Sequence, residues 1–216
     1  MSESTRDTPA HQFESLDQQH HAATLGMWIF LSSEIMLFGG MFVGYTVYRI
    51  LYGETFQKVG AELNLLLGSV NTVILITSSF TIAVAVHAAK DARQKLTRLM
   101  LAATASLGSV FLLIKGYEWY EELHKNLVPF EGMPFAFSGA DVGAAKIFMS
   151  FYFAMTGFHF LHLLIGVGLV SWMLLLSFRG KISKKKPNNL EMTGLYWHLV
   201  DVIWVFIYPL FYLVGP

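Results

Sequence analysis

The sequence contains no cysteine. That removes disulfide cross-links, thiolate nucleophiles and cysteine-held metal or iron–sulfur centres from the functions open to it. Charge is also scarce, at 14% of the 216 residues, against roughly 25% in a soluble domain. The charges sum to zero and lie between apolar runs instead of along one face, so there is no electrostatic footprint for nucleic acid. Missing too are a phosphate-cradling glycine loop, a nucleophile elbow, a metal-hydrolase helix and an acidic metal cage. The sequence therefore shows no catalytic centre of its own. Residues 1–21 mix Glu3, Arg6, Asp7, Glu14 and Asp17 without an apolar core, so they read as a polar tail and not as a cleaved signal peptide. His20 and His21 belong to that tail.

What the chain has in excess is apolar length, with 54% of its residues hydrophobic. A soluble protein of this size cannot bury so much, whereas a bilayer solvates the outward faces of apolar helices. Five apolar segments follow the tail, at 22–48, 63–88, 99–120, 144–178 and 193–214. Each is long enough to cross a hydrocarbon core of about 30 Å, which takes about 20 helical residues. They are apolar for longer than the roughly ten residues of a barrel strand. The fold class is therefore all-α: a polytopic membrane bundle of five transmembrane helices forming one domain over 22–216. The fourth segment has length to spare, so it tilts or extends beyond the membrane. Gly39, Gly40, Gly44, Gly68, Ser69, Gly157, Gly166 and Gly168 are small residues that let helix backbones approach closely in lipid.

Lysine and arginine placement orients the bundle. Lys90, Arg93, Lys95 and Arg98 follow the second span, and Arg179, Lys181, Lys184, Lys185 and Lys186 follow the fourth. Both groups fall on one side, which the positive-inside bias makes cytoplasmic, with the N-terminus cytoplasmic and the C-terminus periplasmic. The loop at 121–143 interleaves Pro129, Gly132, Pro134 and Gly139 with Phe130, Phe135 and Phe137, a pattern suited to capping the bundle or touching a partner.

Polar residues inside the spans are the candidates for function. Glu34 sits near mid-membrane, where an ionised carboxylate costs on the order of 3 kcal/mol. Either it is a neutral, hydrogen-bonding group between helices or it exchanges protons. Asn71, in the second span, and His159 and His162, in the fourth, are candidate partners. The histidines read as hydrogen-bonded packing residues, with haem or metal ligation the alternative. His87 and His198 lie nearer the cytoplasmic ends. His198 and Asp201 are three apart, so the carboxylate can orient the ring, either as part of an anchoring network or as a proton-handling pair. Lys115, Glu118, Glu121 and Glu122 cluster at the outer end of the third span, with Glu118 the one expected to point inward.

Five stretches carry a family likeness. They are GMWIFLSSEIMLFGGMFVGY at 26–45, LNLLLGSVNTVILITSSFTIAVAVHA at 63–88, GYEWYE at 116–121, TGFHFLHLLIG at 156–166 and YWHLVDVIWVFIYPLFYLVG at 196–215. Together they resemble subunit III of the haem-copper terminal oxidases, the cytochrome c oxidase and quinol oxidase group, in its five-helix form. The resemblance implies an accessory subunit of a bacterial inner-membrane oxygen reductase that binds no haem or copper itself. Those metals would sit in partner subunits, with this chain packed against catalytic subunit I in a complex that also holds subunit II. It further implies stabilisation during turnover, help with proton uptake and bound phospholipid. The family's buried glutamate falls on Glu34 and its outer-end glutamate on Glu118, while His159, His162, His198 or Asp201 would serve near lipid. Larger members have seven helices, the first two forming one arm of a lipid-filled cleft. Two alternatives stand beside this one: an accessory subunit of nitric oxide reductase, and a small proton-coupled secondary transporter. Transporters show paired repeats or broken helices, and Pro209 is the only proline deep in a span.

Overall fold

The computed structural model describes residues 15–129, 135–137, 139, 141–180 and 188–213. Most of the 1–21 tail, Phe130, Gly132 and Pro134 of the 121–143 loop, and Lys181, Lys184, Lys185 and Lys186 lie outside the described residues. Among the described residues there are six helices: α1 (Leu16–Leu51), α2 (Gly53–Gly60), α3 (Leu65–Lys90), α4 (Gln94–His124), α5 (Val142–Phe178) and α6 (Asn188–Tyr212). All but α2 are long and apolar enough to cross a membrane, so the five spans are as expected.

Their limits differ where polar residues continue a helix. α4 runs from Gln94 to His124 and not over 99–120, because Gln, Lys, Leu and Glu at its ends are good helix formers that hydropathy does not register. α1 likewise begins at Leu16, inside the polar stretch. α2 occupies a connection that apolar length left as loop; it buries Phe56, Val59 and Gly60 on one face. On its other face Lys58 bonds Glu54 at 2.8 Å, which holds the Glu54 carboxyl below its usual range.

The chain divides into two compact units, Met1–Leu37 and Phe38–Pro216. Glu34 lies in the first, on α1. The remaining candidates lie in the second.

In the second unit α4 and α5 run antiparallel, as do α3 and α6. α3 and α6 are held together by Ser79 with His198 near one end and Ser69 with Tyr208 near the other. Arg98, at the start of α4, donates to the Ser177 carbonyl at the end of α5 over 2.9 Å. Buried positions alternate by three and four: Gly68, Asn71, Leu75, Ser78, Ile82, Ala85 and Ala89 on α3, and Thr97, Leu101, Thr104, Gly108, Phe111, Lys115, Glu118 and Glu122 on α4. This is the three-four spacing of a helix-packing seam. Close approach along it is made by Gly108, whose missing side chain leaves room for the Trp197 ring and Val167, and by Gly68 against the Tyr212 ring.

Helix ends are closed from the sequence outward. Asn64 and Asp141 cap α3 and α5 through their side chains, accepting from Leu67 N at 3.2 Å and Ala144 N at 2.9 Å. Ala92 and Asn126 end α3 and α4 in left-handed backbone, with Arg93 N bonded to Ala88 O and Leu127 N to Glu122 O in the six-to-one pattern. The C-terminal turn of α6, weakened by Pro209, is tied by the Tyr45 hydroxyl donating to Leu210 O at 2.6 Å. Outward positions such as Phe80, Leu113, Trp172, Val202 and Phe206 are exposed and apolar, as a surface solvated by lipid or covered by another membrane subunit requires.

Candidate functional site

Three groups of polar residues in the second unit hold the candidates from the sequence. The first joins α4, α5 and α6. Lys115 donates to Glu118 Oε2 at 3.1 Å, to the Tyr152 hydroxyl at 2.9 Å and to the Tyr212 hydroxyl at 2.7 Å. Both hydroxyls in turn donate to Glu118 Oε1. An ammonium has three protons to give, and here all three are matched. The ring of bonds is electroneutral and closed, with Lys115 also lying over the faces of Tyr152, Trp204 and Tyr212. The arrangement ties α4, α5 and α6 together through matched donors and acceptors. One turn on, Glu122 is buried and bonded to half-exposed Lys125 at 2.9 Å, with Oε2 left without a hydrogen bond.

The second group surrounds Trp204 of α6. Its indole N–H donates to Thr72 of α3 at 3.0 Å, its ring stands edge-on to Phe111 at 4.8 Å, and His159 lies 5.1 Å from it. His159 is fully buried between Phe111 and Trp204 and neither ring nitrogen makes a hydrogen bond. Asn71, one residue before Thr72, is buried with both amide atoms unmatched. His162 faces elsewhere: its Nδ1 is 2.7 Å from Phe158 O and its ring lies edge-on to Phe38. The fourth-span histidines are thus not a pair on one face. Among the described residues no three His, Asp or Glu side chains converge on a point where a metal ion could be held.

The third group lines a cleft of about 440 Å³ between the end of α3 and the start of α6. Ala83, Val86, Met192 and Leu195 are among its apolar walls, and His87, Lys90, Glu191 and His198 supply its polar ones. Lys90 and Glu191 bridge the two helices at 2.9 Å. His87 is exposed, 3.7 Å from Asp91. His198 points its Nδ1 at the Ser79 hydroxyl, 2.8 Å away, instead of at Asp201, because Asp201 turns inward with α6's buried face. Spacing along α6 places the two on one side of the helix; packing against α3 brings Ser79 to that side.

Glu118 is buried, but it is not the one inward member of the outer cluster: Lys115 and Glu122 are buried with it. Tyr152 and Tyr212 are interacting residues that the sequence does not single out, and it places Lys115 only in an outer charge cluster. For Lys115 a signal was present: 108, 111, 115, 118 and 122 continue the three-four spacing of small and apolar residues before them. The tyrosines carry no comparable signal, since their partners lie on other helices.

Comparison with known proteins gives a consistent answer. Residues 11–216 match the family described as cytochrome c oxidase subunit III. The chain is 34% identical over 190 residues to cytochrome c oxidase subunit 3 of Thermostichus vulcanus, covering 88% of this chain and 86% of that one. It is 30% identical over 212 residues to the probable quinol oxidase subunit 3 of Staphylococcus saprophyticus, covering 95% and 97%. A haem-copper oxidase subunit I+III of Aeropyrum pernix is 29% identical over 200 residues, covering 87% of this chain and 22% of the longer relative. A bundle of five membrane-crossing helices, matched over nearly its whole length, belongs to the cytochrome c oxidase subunit III family of membrane-embedded, non-catalytic haem-copper oxidase accessory subunits.

Proposed function

We propose that the chain stabilises the catalytic subunit I of a proton-pumping oxygen reductase, assists its proton uptake and holds phospholipid at the shared surface. Haem and copper sit in the partners, with subunit II a further member of the complex. The observation that carries this reading is the full-length likeness to oxidase third subunits, one relative of which is named as subunits I and III in one chain. Its physical support is the division of labour in the bundle. Lys115, Glu118, Tyr152 and Tyr212 at its centre are spent on joining helices, while the exposed apolar flanks are left for lipid and a neighbour.

The cytoplasmic side is the end where α3 gives way to α4 and α5 runs out. Lys90, Arg93, Lys95, Arg98 and Arg179 gather there. By the positive-inside bias the N-terminus is then cytoplasmic and the C-terminus periplasmic. Glu34, carried on α1, is the carboxylate assigned to proton uptake.

Mild-detergent purification of the native complex, with subunit identification and haem typing, tests the association. Recovery with a haem-bearing subunit I supports it; recovery without any haem protein contradicts it.

A further inference from the structure

Asp201 is the buried acid that the accessory role leaves without a task. It is 6% exposed, and neither carboxylate oxygen has a well-formed hydrogen bond, although the Ser79 hydroxyl interacts with it. The contrast with Glu118, which accepts from a lysine and two tyrosines in the same bundle, is informative. An ionised buried carboxylate without matched donors costs free energy that protonation relieves.

The surroundings of Asp201 lead outward in one direction. Ser79 on α3 interacts with it, Ser79 is 2.8 Å from His198 Nδ1, and His198 lines the cleft whose mouth holds His87, Lys90 and Glu191. Among the described residues, several charged or titratable groups on the neighbouring helices are engaged elsewhere. From α3, Lys90 is paired with Glu191 of α6; from α4, Lys115 is committed to Glu118 and Arg98 to Ser177 O; from α5, His159 packs on Trp204, one turn along α6. The ring, the hydroxyl and the carboxylate form a succession of groups that can each pass a proton.

We propose that Asp201 is a proton-exchanging carboxylate, reached from the aqueous phase at this end of the bundle through the cleft, His198 and Ser79. A hydrated proton in the cleft bonds to His198 Nε2 and leaves water behind. The Nδ1 proton moves to Ser79 Oγ, and the hydroxyl's own proton moves to an Asp201 oxygen. The carboxylate becomes a carboxylic acid, the serine is restored, and the ring is neutral with its proton on the other nitrogen. Release runs the same steps backward. The proposal rests on the reading that this subunit assists proton uptake, but it concerns a property of the chain alone. Failure of one therefore leaves the other testable.

The test is infrared spectroscopy of the full chain in lipid nanodiscs, with aspartate carboxyls labelled with carbon-13 to separate them from Glu34, Glu118 and Glu122. A labelled protonated-carboxyl band is expected that appears and fades reversibly with pH and is absent in Asp201→Asn. On transfer to deuterium oxide its exchange slows by about tenfold or more in Ser79→Ala and in His198→Phe. Those variants keep Asp201, so the test survives if Asp201→Asn does not fold. Absence of a titrating aspartate band, or exchange at the wild-type rate in both variants, overturns the proposal.

Discussion

The Lys115 ammonium lies 3.1 Å from the Glu118 carboxylate at a place solvent does not reach, the two side chains being 1% and 0% exposed. Separated by three residues on α4, they are joined across α5 and α6 by Tyr152 and Tyr212. Removing one member leaves the other charged and unmatched. Lys115→Met is expected to lower the stability of the purified chain by about 3–5 kcal/mol, the loss typical of a broken buried pair. Lys115→Met combined with Glu118→Gln should lose distinctly less, because no charge is then stranded. Denaturant unfolding in detergent measures both. Additive losses in the double variant would mean that the two residues do not act together.

The glycines separate into those that allow contact and those that do not. A methyl at Gly108 would come within 2.6 Å of the Trp197 ring and 2.8 Å of Val167, whereas one at Gly157 meets nothing within 4 Å. Gly108→Ala should therefore cost about 1–3 kcal/mol through overpacking. Gly157→Ala should leave the isolated chain unchanged or steadier by up to about 1 kcal/mol, from helix propensity. Thermal melting of the two variants side by side checks the ranking.

These contrasts explain what could be seen in the sequence. Apolar length reveals five spans because the bilayer imposes a minimum on every one of them, and no partner helix is needed to see it. α2 escaped that criterion because its buried face is only Phe56, Val59 and Gly60. The charged end of α4 was legible only in part. Glu118 stood out as an acid inside a span, but Lys115 next to glutamates looks like an interfacial helix end until Tyr152 and Tyr212 are brought to it from residues far along the chain. The same holds for His198, whose partner Ser79 is 119 residues away, while its helical neighbour Asp201 faces inward. Local spacing states which residues share a helix face; which face meets which helix is a property of the packed bundle.

His159 offers a test of packing against ligation. Its ring fills the space between Phe111 and Trp204 without using either nitrogen. His159→Phe should stay within about 1.5 kcal/mol of wild type, as a near volume-conserving exchange does, and leave the haem content of the native complex unchanged. Loss of haem in that variant would reassign the residue as a ligand.

Glu34 lies in the unit that ends at Leu37 and carries the proposed proton role. In the assembled oxidase, Glu34→Gln should leave partner haem spectra intact while lowering sustained turnover, proton uptake or working lifetime. Wild-type values for all three would remove that role from the account.

The most direct test of the central claim compares optical spectra of two preparations, the chain purified alone and the chain purified with its native partners in mild detergent. An accessory third subunit predicts no Soret band from the chain alone, and from the complex a haem-copper oxidase spectrum with the catalytic subunit present in the same particle. A Soret band from the isolated chain, or a native preparation that contains the chain and no haem protein, would contradict it.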